Sequence, residues 1–287
     1  MSISNLFNLE KKDGACGVEI ELNYGIRSRD YVLPRVRDWH KEEDGSLGIM
    51  GIEYVMDQPR SVNDTHEQID DLYNAFEKNK EIYIKDLDKA GIHVHINVQD
   101  YNCTELFTFA CAYLMVEKVL VQWCGEGRVG NHFCLRLSDA EKLLFQMLEA
   151  TQNKDLYHLN TQDIRYASMN FLSVFKYGSL EFRAMRTPET QKAVHQWVDM
   201  LFEIKENAKK FASPLEIIDA MSGQGDKAFL DMLLPSFSDM LFNEGYCKFG
   251  DIEEGARAIQ MLAYIPDWNK KEIANNNPFK HNRKAWC

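Results

Sequence analysis

The stretch AGIHVHINV, Ala90–Val98, alternates without a break: Ile92, Val94, Ile96 and Val98 fall on one side of an extended chain, His93 and His95 on the other. A period of two with β-branched residues predicts a half-buried strand, because successive side chains of a strand point to opposite faces. Two further segments share the pattern. In CGVEIEL, residues 16–22, Cys16, Val18, Ile20 and Leu22 oppose Glu19 and Glu21. In SLEFRAM, residues 179–185, Leu180, Phe182 and Ala184 oppose Glu181 and Arg183. Singly, E-x-E reads as solvated charge and E-x-R as an ordinary salt bridge. Together, in one antiparallel sheet, their polar faces converge at roughly 5 Å lateral spacing. Such a face collects carboxylates suited to Mg²⁺ or Mn²⁺, imidazoles acceptable to Mn²⁺, and a guanidinium that can clamp phosphate oxygens but cannot bind metal.

Outward from these strands the chain alternates strands with helices and shows no internal repeat. Ile52–Met56 is a candidate short strand. Thr65 and Gln68 form a capping-box pattern ahead of Ile69, Leu72, Tyr73 and Phe76 at helical spacing. A buried helix is expected from about Glu105 and another behind Ser138 and Glu141. Arg165–Phe175 reads as a strand joined through KYG to Ser179–Met185 as a hairpin. Thr187 and Pro188 suit the start of a helix with Val194, Trp197, Val198, Leu201 and Phe202 on its apolar face. The expected organisation is a main domain over 1–210 and a helical C-terminal appendix over 211–287, built from LEIIDAM, AFLDMLL and EEGARAIQMLAY. Those pieces cannot bury their apolar residues alone, so they should dock on the main domain or on a second subunit.

With 287 residues, 45% hydrophobic and 27% charged, the chain can build a sizeable core. Its net charge of −11 argues against a broad nucleic-acid surface or an anionic-membrane surface. The start, MSISNLFNLEKKDG, lacks a secretory signal, and a cytoplasmic location is expected. The most apolar run, Leu106–Trp123, contains Glu117, Lys118 and Gln122 and suits a buried helix better than a membrane span. Seven Cys with no C-x-x-C suggest reduced, buried thiols rather than disulfides or a Cys-based zinc site. Gly125-x-Gly127-x-x-Gly130 matches a dinucleotide fingerprint by letter, but a helical run precedes it where that motif needs a strand, so a flexible loop is expected. No P-loop motif occurs.

The ordered pieces GVEIEL, DGSL with GIEYV, GIHVHINV, GRVGNHFC, RYASMN and GSLEFRAMRTP, between Gly14 and Pro188, resemble the amidoligases, a branch of the glutamine synthetase and glutamate–cysteine ligase superfamily. The resemblance implies an α+β fold: a curved antiparallel sheet of glutamine-synthetase-like type, its concave face holding the site, with helices packed behind. It implies ATP-dependent carboxylate–amine ligation through an acyl phosphate, with ATP and Mg²⁺ (or Mn²⁺) as cofactors and a small-molecule or peptide carboxylate and amine as partners. Glu19, His93 and Glu181 would hold one metal, Glu21 and Glu53 the other. His95, Arg183 and Arg165 would act on the phosphates as catalytic and nucleotide-binding groups. Arg128, Asn131, Asn170 and Asp44 match family positions, Arg128 and Asn170 being expected nucleotide contacts. After Pro188 the resemblance stops, so the acceptor pocket is not inherited, and a homo-oligomer is left open. A phosphotransferase or phosphohydrolase of the same fold, or a non-catalytic nucleotide-binding protein, are the competing readings.

Overall fold

The computed structural model describes residues 1–43, 47–85, 87–132, 134–153, 155–266 and 268. In chain order the elements are α1 (Ile3–Phe7), β1 (Cys16–Ile26), β2 (Trp39–Glu42), β3 (Gly51–Met56), α2 (Val62–Lys78), β4 (Ile82–Lys85), β5 (Leu87–Asn97), α3 (Cys103–Trp123) and α4 (Glu141–Asn153). There follow β6 (Met169–Asn170), α5 (Leu172–Lys176), β7 (Ser179–Thr187), α6 (Gln191–Ala208), α7 (Pro214–Met221), α8 (Gly225–Leu233), α9 (Ser238–Asn243) and α10 (Asp251–Tyr264). Among the described residues the seven strands form one antiparallel sheet in the order β2-β3-β1-β5-β7-β6, with β4 also paired to β1. The sheet stays open, with β2 and β6 at its edges.

The three alternating segments are β1, β5 and β7, adjacent in that order at the centre of the sheet. Their apolar faces are fully buried. Helices α2, α3 and α6 cover that face, with Phe109 and Tyr113 of α3 packing on Phe182 of β7 at ring-centroid distances of 5.6 and 4.7 Å. Helix α3 is buried almost all round because β7, α6, α7 and α10 surround it, which is where a helix apolar on every face belongs. Asn102 and Glu105 close a capping box at its start.

Several boundaries differ from the sequence expectation. Helix α2 starts four residues early, capped by Ser61, whose hydroxyl accepts from Asp64 N; Thr65 is buried in the first turn with its hydroxyl donating to Ser61 O. The expected strand over 165–175 exists only at Met169–Asn170, and Leu172–Lys176 is helical. Apolar spacing alone could not distinguish a strand from a short connection folded against β7. Helix α6 is capped at Thr190, not Thr187: Thr187 ends β7, and its hydroxyl donates to the carbonyls of Glu21 and Gly91, which binds the strand ends together. The Gly125–Gly130 segment forms an ordered 3-10 turn, Glu126–Arg128, after α3.

The C-terminal helices dock on α3. The approach of α10 is close enough that a Cβ on Gly255 would lie 2.2 Å from Met115 O. Lys118 of α3 reaches Asp251 at 2.9 Å and Glu254 at 2.6 Å, so two of the three first-turn carboxylates of α10 are spent on this contact. All six described cysteines are free and buried, Cys287 lying outside the described residues. Burial pushes the Cys16 and Cys103 thiols up to about 12, the opposite of what a thiolate nucleophile needs. No helix among the described residues is long and apolar enough to cross a membrane.

Candidate functional site

The register decides which polar groups meet. Glu19 pairs with His93, Glu21 with Glu53, and His95 with Glu181, so side chains from β1, β3, β5 and β7 share the face opposite the helices. His93 sits at the centre, 5% exposed. Its Nδ1 lies 3.1 Å from Glu19 Oε2 and 3.8 Å from Glu181 Oε1, and its Nε2 lies 3.4 Å from Glu21 Oε1. His95 has Nε2 at 3.1 Å from Glu19 Oε1 and Nδ1 at 3.2 Å from Ser179 Oγ. Three carboxylates around one buried imidazole need positive charge to balance them.

Protonation follows from this crowding. Burial would raise the Glu19 carboxyl, but hydrogen bonds and charge from His93 and His95 overcome it and hold the group well below its ordinary range. Burial would lower His95, yet the Glu19 and Glu181 carboxylates raise it. Burial pushes Glu181 up, and His95, His93 and Arg183 together bring it down.

Ligand atoms of Glu19, Glu53 and His93 all lie within 4.8 Å of one another. Two carboxylates and an imidazole at this spacing fit a divalent cation such as Mg²⁺ or Mn²⁺. The grouping differs from the expected pairing of Glu19 and His93 with Glu181. Both oxygens of Glu181 are engaged: Oε1 accepts from Arg183 Nη1 at 2.7 Å, and Oε2 accepts from Asn170 Nδ2 at 2.8 Å and Ser173 Oγ at 2.9 Å. Glu21 Oε2 accepts from Gly91 N at 2.7 Å. A Cβ on Gly91 would stand 3.3 Å from both Arg128 Nη2 and Glu21 Oε2 and 3.5 Å from His93 Nε2, so these groups surround the space that glycine leaves.

The arginines separate. Arg183 spends Nη1 on Glu181, while its buried Nε has no hydrogen-bond partner. Arg165 is exposed and lies 4.4 Å over the Tyr166 ring, bonding the Tyr166 hydroxyl; Arg183 is 6.0 Å from the same ring. Arg128 is 1% exposed, with Nε donating to Ala184 O at 2.9 Å and Nη2 to Arg183 O at 2.7 Å. Asn170 braces Glu181 and accepts from Leu172 N through Oδ1, and Asn131 donates to Gly127 O. Asp44 lies outside the described residues.

A cleft of about 610 Å³ opens beside Glu19 and Glu53. Sequence reading missed its outer wall: His40 and Glu42 on β2, Asp57 after β3, and Lys176 with Tyr177. WHKE at 39–42 carries no alternating signal, since only Trp39 is buried and His40, Lys41 and Glu42 are all exposed.

A family model described as "Putative amidoligase enzyme" matches residues 8–201, which covers all of β1 to β7. The chain belongs to this amidoligase family. No curated protein matches it. The matched segment contains every strand that supplies the carboxylate–imidazole face and ends within α6, so the amidoligase region coincides with the sheet and its first covering helices. A ligase is the activity class that this membership supports.

Proposed function

We propose that the protein is an ATP-dependent carboxylate–amine ligase that works through an acyl phosphate on a sheet of the glutamine-synthetase-like type. The observation that supports this best is the buried His93 ringed by Glu19, Glu21 and Glu181, with the unpartnered Nε of Arg183 beside it. Glu19, Glu53 and His93 would hold a divalent cation, which when bound neutralises phosphate charge on the nucleotide. Glu21 borders the same cation pocket. Arg183 offers its free N–H to a phosphoryl oxygen while Glu181, braced by Asn170 and Ser173, fixes the guanidinium plane. Arg165 contributes from the rim through Tyr166, and His95 stabilises the ionised form of Glu19. Arg128 supports from behind, holding the backbone of β7 where Arg183 leaves it.

Phosphoryl transfer to a substrate carboxylate makes the carbonyl carbon susceptible to an amine, whose attack expels phosphate and leaves an amide. The carboxylate and amine are taken to be small-molecule or peptide groups. The test is mass spectrometry of a cellular small-molecule extract incubated with protein, Mg²⁺ and ATP. A condensation product with loss of water, formed with ADP and phosphate, is expected. ATP hydrolysis without any new amide would overturn the ligase reading in favour of a phosphohydrolase, and no turnover would favour a binding protein.

A further inference from the structure

The outer wall of the cleft holds a second constellation that the metal and phosphate groups leave unused. His40 Nδ1 lies 2.7 Å from Asp57 Oδ1, and His40 Nε2 lies 3.6 Å from Glu42 Oε1. A carboxylate at hydrogen-bond distance from Nδ1 selects the tautomer that donates there, which leaves Nε2 with a lone pair. Nε2 and Glu42 Oε1 are then two acceptors that cannot bond each other, close enough for one ammonium group to bridge them. His40 and Glu42 line the same cleft as Glu19 and Glu53. Their position in it follows from the register: His40 pairs with Val55, and Val55 with Glu19, so His40 and Glu19 are two strands apart, about 10 Å between backbones. The half-buried Val55 lies between them on the cleft floor.

We propose that this outer half of the cleft is the amine subsite, that it takes a primary ammonium compound, and that His40 is the base that deprotonates it, with Asp57 as its positioning residue. The inference rests on the ligase reading above. An amine that is protonated at neutral pH cannot attack. One proton passes from nitrogen to His40 Nε2, with Glu42 holding the remaining charge until transfer. The freed nitrogen lone pair forms the C–N bond to the acyl carbon, the C–O bond to phosphate breaks, and phosphate departs with that electron pair. The second proton leaves nitrogen for the departing phosphate, and His40 returns its proton to water, so atoms and charge balance.

Hydroxylamine separates the steps, because it is largely unprotonated at neutral pH and traps an acyl phosphate as a hydroxamate without a base. Wild type, His40→Gln and Asp57→Asn are each given Mg²⁺, ATP and a cellular small-molecule extract, with or without hydroxylamine, and hydroxamate and amide are read by mass spectrometry. The expected result is that His40→Gln lowers the amide-to-hydroxamate ratio at least tenfold, that Asp57→Asn lowers it by less, and that the ratio recovers as pH approaches the amine's own pKa. An unchanged ratio in His40→Gln overturns the inference while leaving the ligase reading intact, as does parallel loss of both products. If wild type forms no hydroxamate, no acyl phosphate exists, and the ligase reading fails and takes the inference with it.

Discussion

Arg128 donates from Nη2 to the backbone carbonyl of Arg183 at 2.7 Å, so one arginine of this site holds up the strand position of the other. The two differ in what they leave unsatisfied. Arg128 is buried and bonded to two carbonyls of β7, whereas Arg183 keeps a buried Nε without a partner.

Arg128→Ala should therefore act on stability. It strands the carbonyls of Arg183 and Ala184 and opens a cavity, at a cost of about 2–4 kcal/mol. Arg183→Lys should leave the melting temperature nearly unchanged while ATP turnover falls at least about tenfold, because the planar fork is lost and the charge is kept. Thermal melts and turnover of the two variants, taken together, check the assignment. A stable Arg128→Ala protein would refute the bracing role.

The proposed cation set makes a different demand. Glu53→Gln, Glu19→Gln and His93→Ala should each weaken Mn²⁺ binding at least about tenfold. Glu181→Gln should weaken it less, since both Glu181 oxygens already accept hydrogen bonds from Arg183, Asn170 and Ser173. Titration calorimetry ranks them, and a larger loss for Glu181→Gln than for Glu53→Gln would restore Glu181 as a direct ligand.

Glu117 provides a pH dependence outside the carboxylate–imidazole face. It is buried on α3, accepts from Leu137 N at 2.8 Å and from Ser168 Oγ, and faces Arg136 and Asp139. Burial raises its carboxyl from 4.5 to about 7, and the bonds from Ser168 and Leu137 only partly offset this. A raised folded-state value means that the group's stabilising contribution is full below the unfolded value and is lost as pH rises through about 7. At about 1.4 kcal/mol per unit the loss is at most roughly 3.5 kcal/mol. Melting temperature should decline from about pH 5 to about pH 8, and Glu117→Gln should flatten that decline. An identical slope in the variant would show that other groups cause it.

Gly255 is the contact point of α10 on α3. With Met115 O in the place of a Cβ, Gly255→Ala must push the helices apart, at a cost of about 1–3 kcal/mol. Glu53-dependent Mn²⁺ binding should survive below the melting transition, because α10 packs on the far side of α3. A melt unchanged from wild type would show that α10 can shift freely.

The sequence by itself determined the faces. Alternation is local, so Glu19, Glu21, His93, His95, Glu181 and Arg183 could be placed on polar sides of buried strands before any pairing was known. The apolar girdle of α3 was legible for the same reason. Register is not local. That Glu53 stands opposite Glu21, and that Glu53 rather than Glu181 joins Glu19 and His93 within ligand distance, depends on which strands pair and on who else claims each carboxylate. The segment after Arg165 shows the limit most clearly: its apolar spacing permits a strand, but only Met169–Asn170 pairs with β7, setting Asn170 opposite Glu181, and Ser173 reaches Glu181 from the helical turn Leu172–Lys176. His40 carried neither an alternating signal nor a hint of its partner, since Trp39 is followed by three exposed polar residues and Asp57 meets His40 only once β2 and β3 pair. Side-chain direction is written in the chain. Which directions meet is decided by long-range hydrogen bonding and core packing, whose energies belong to pairs of segments rather than to either one.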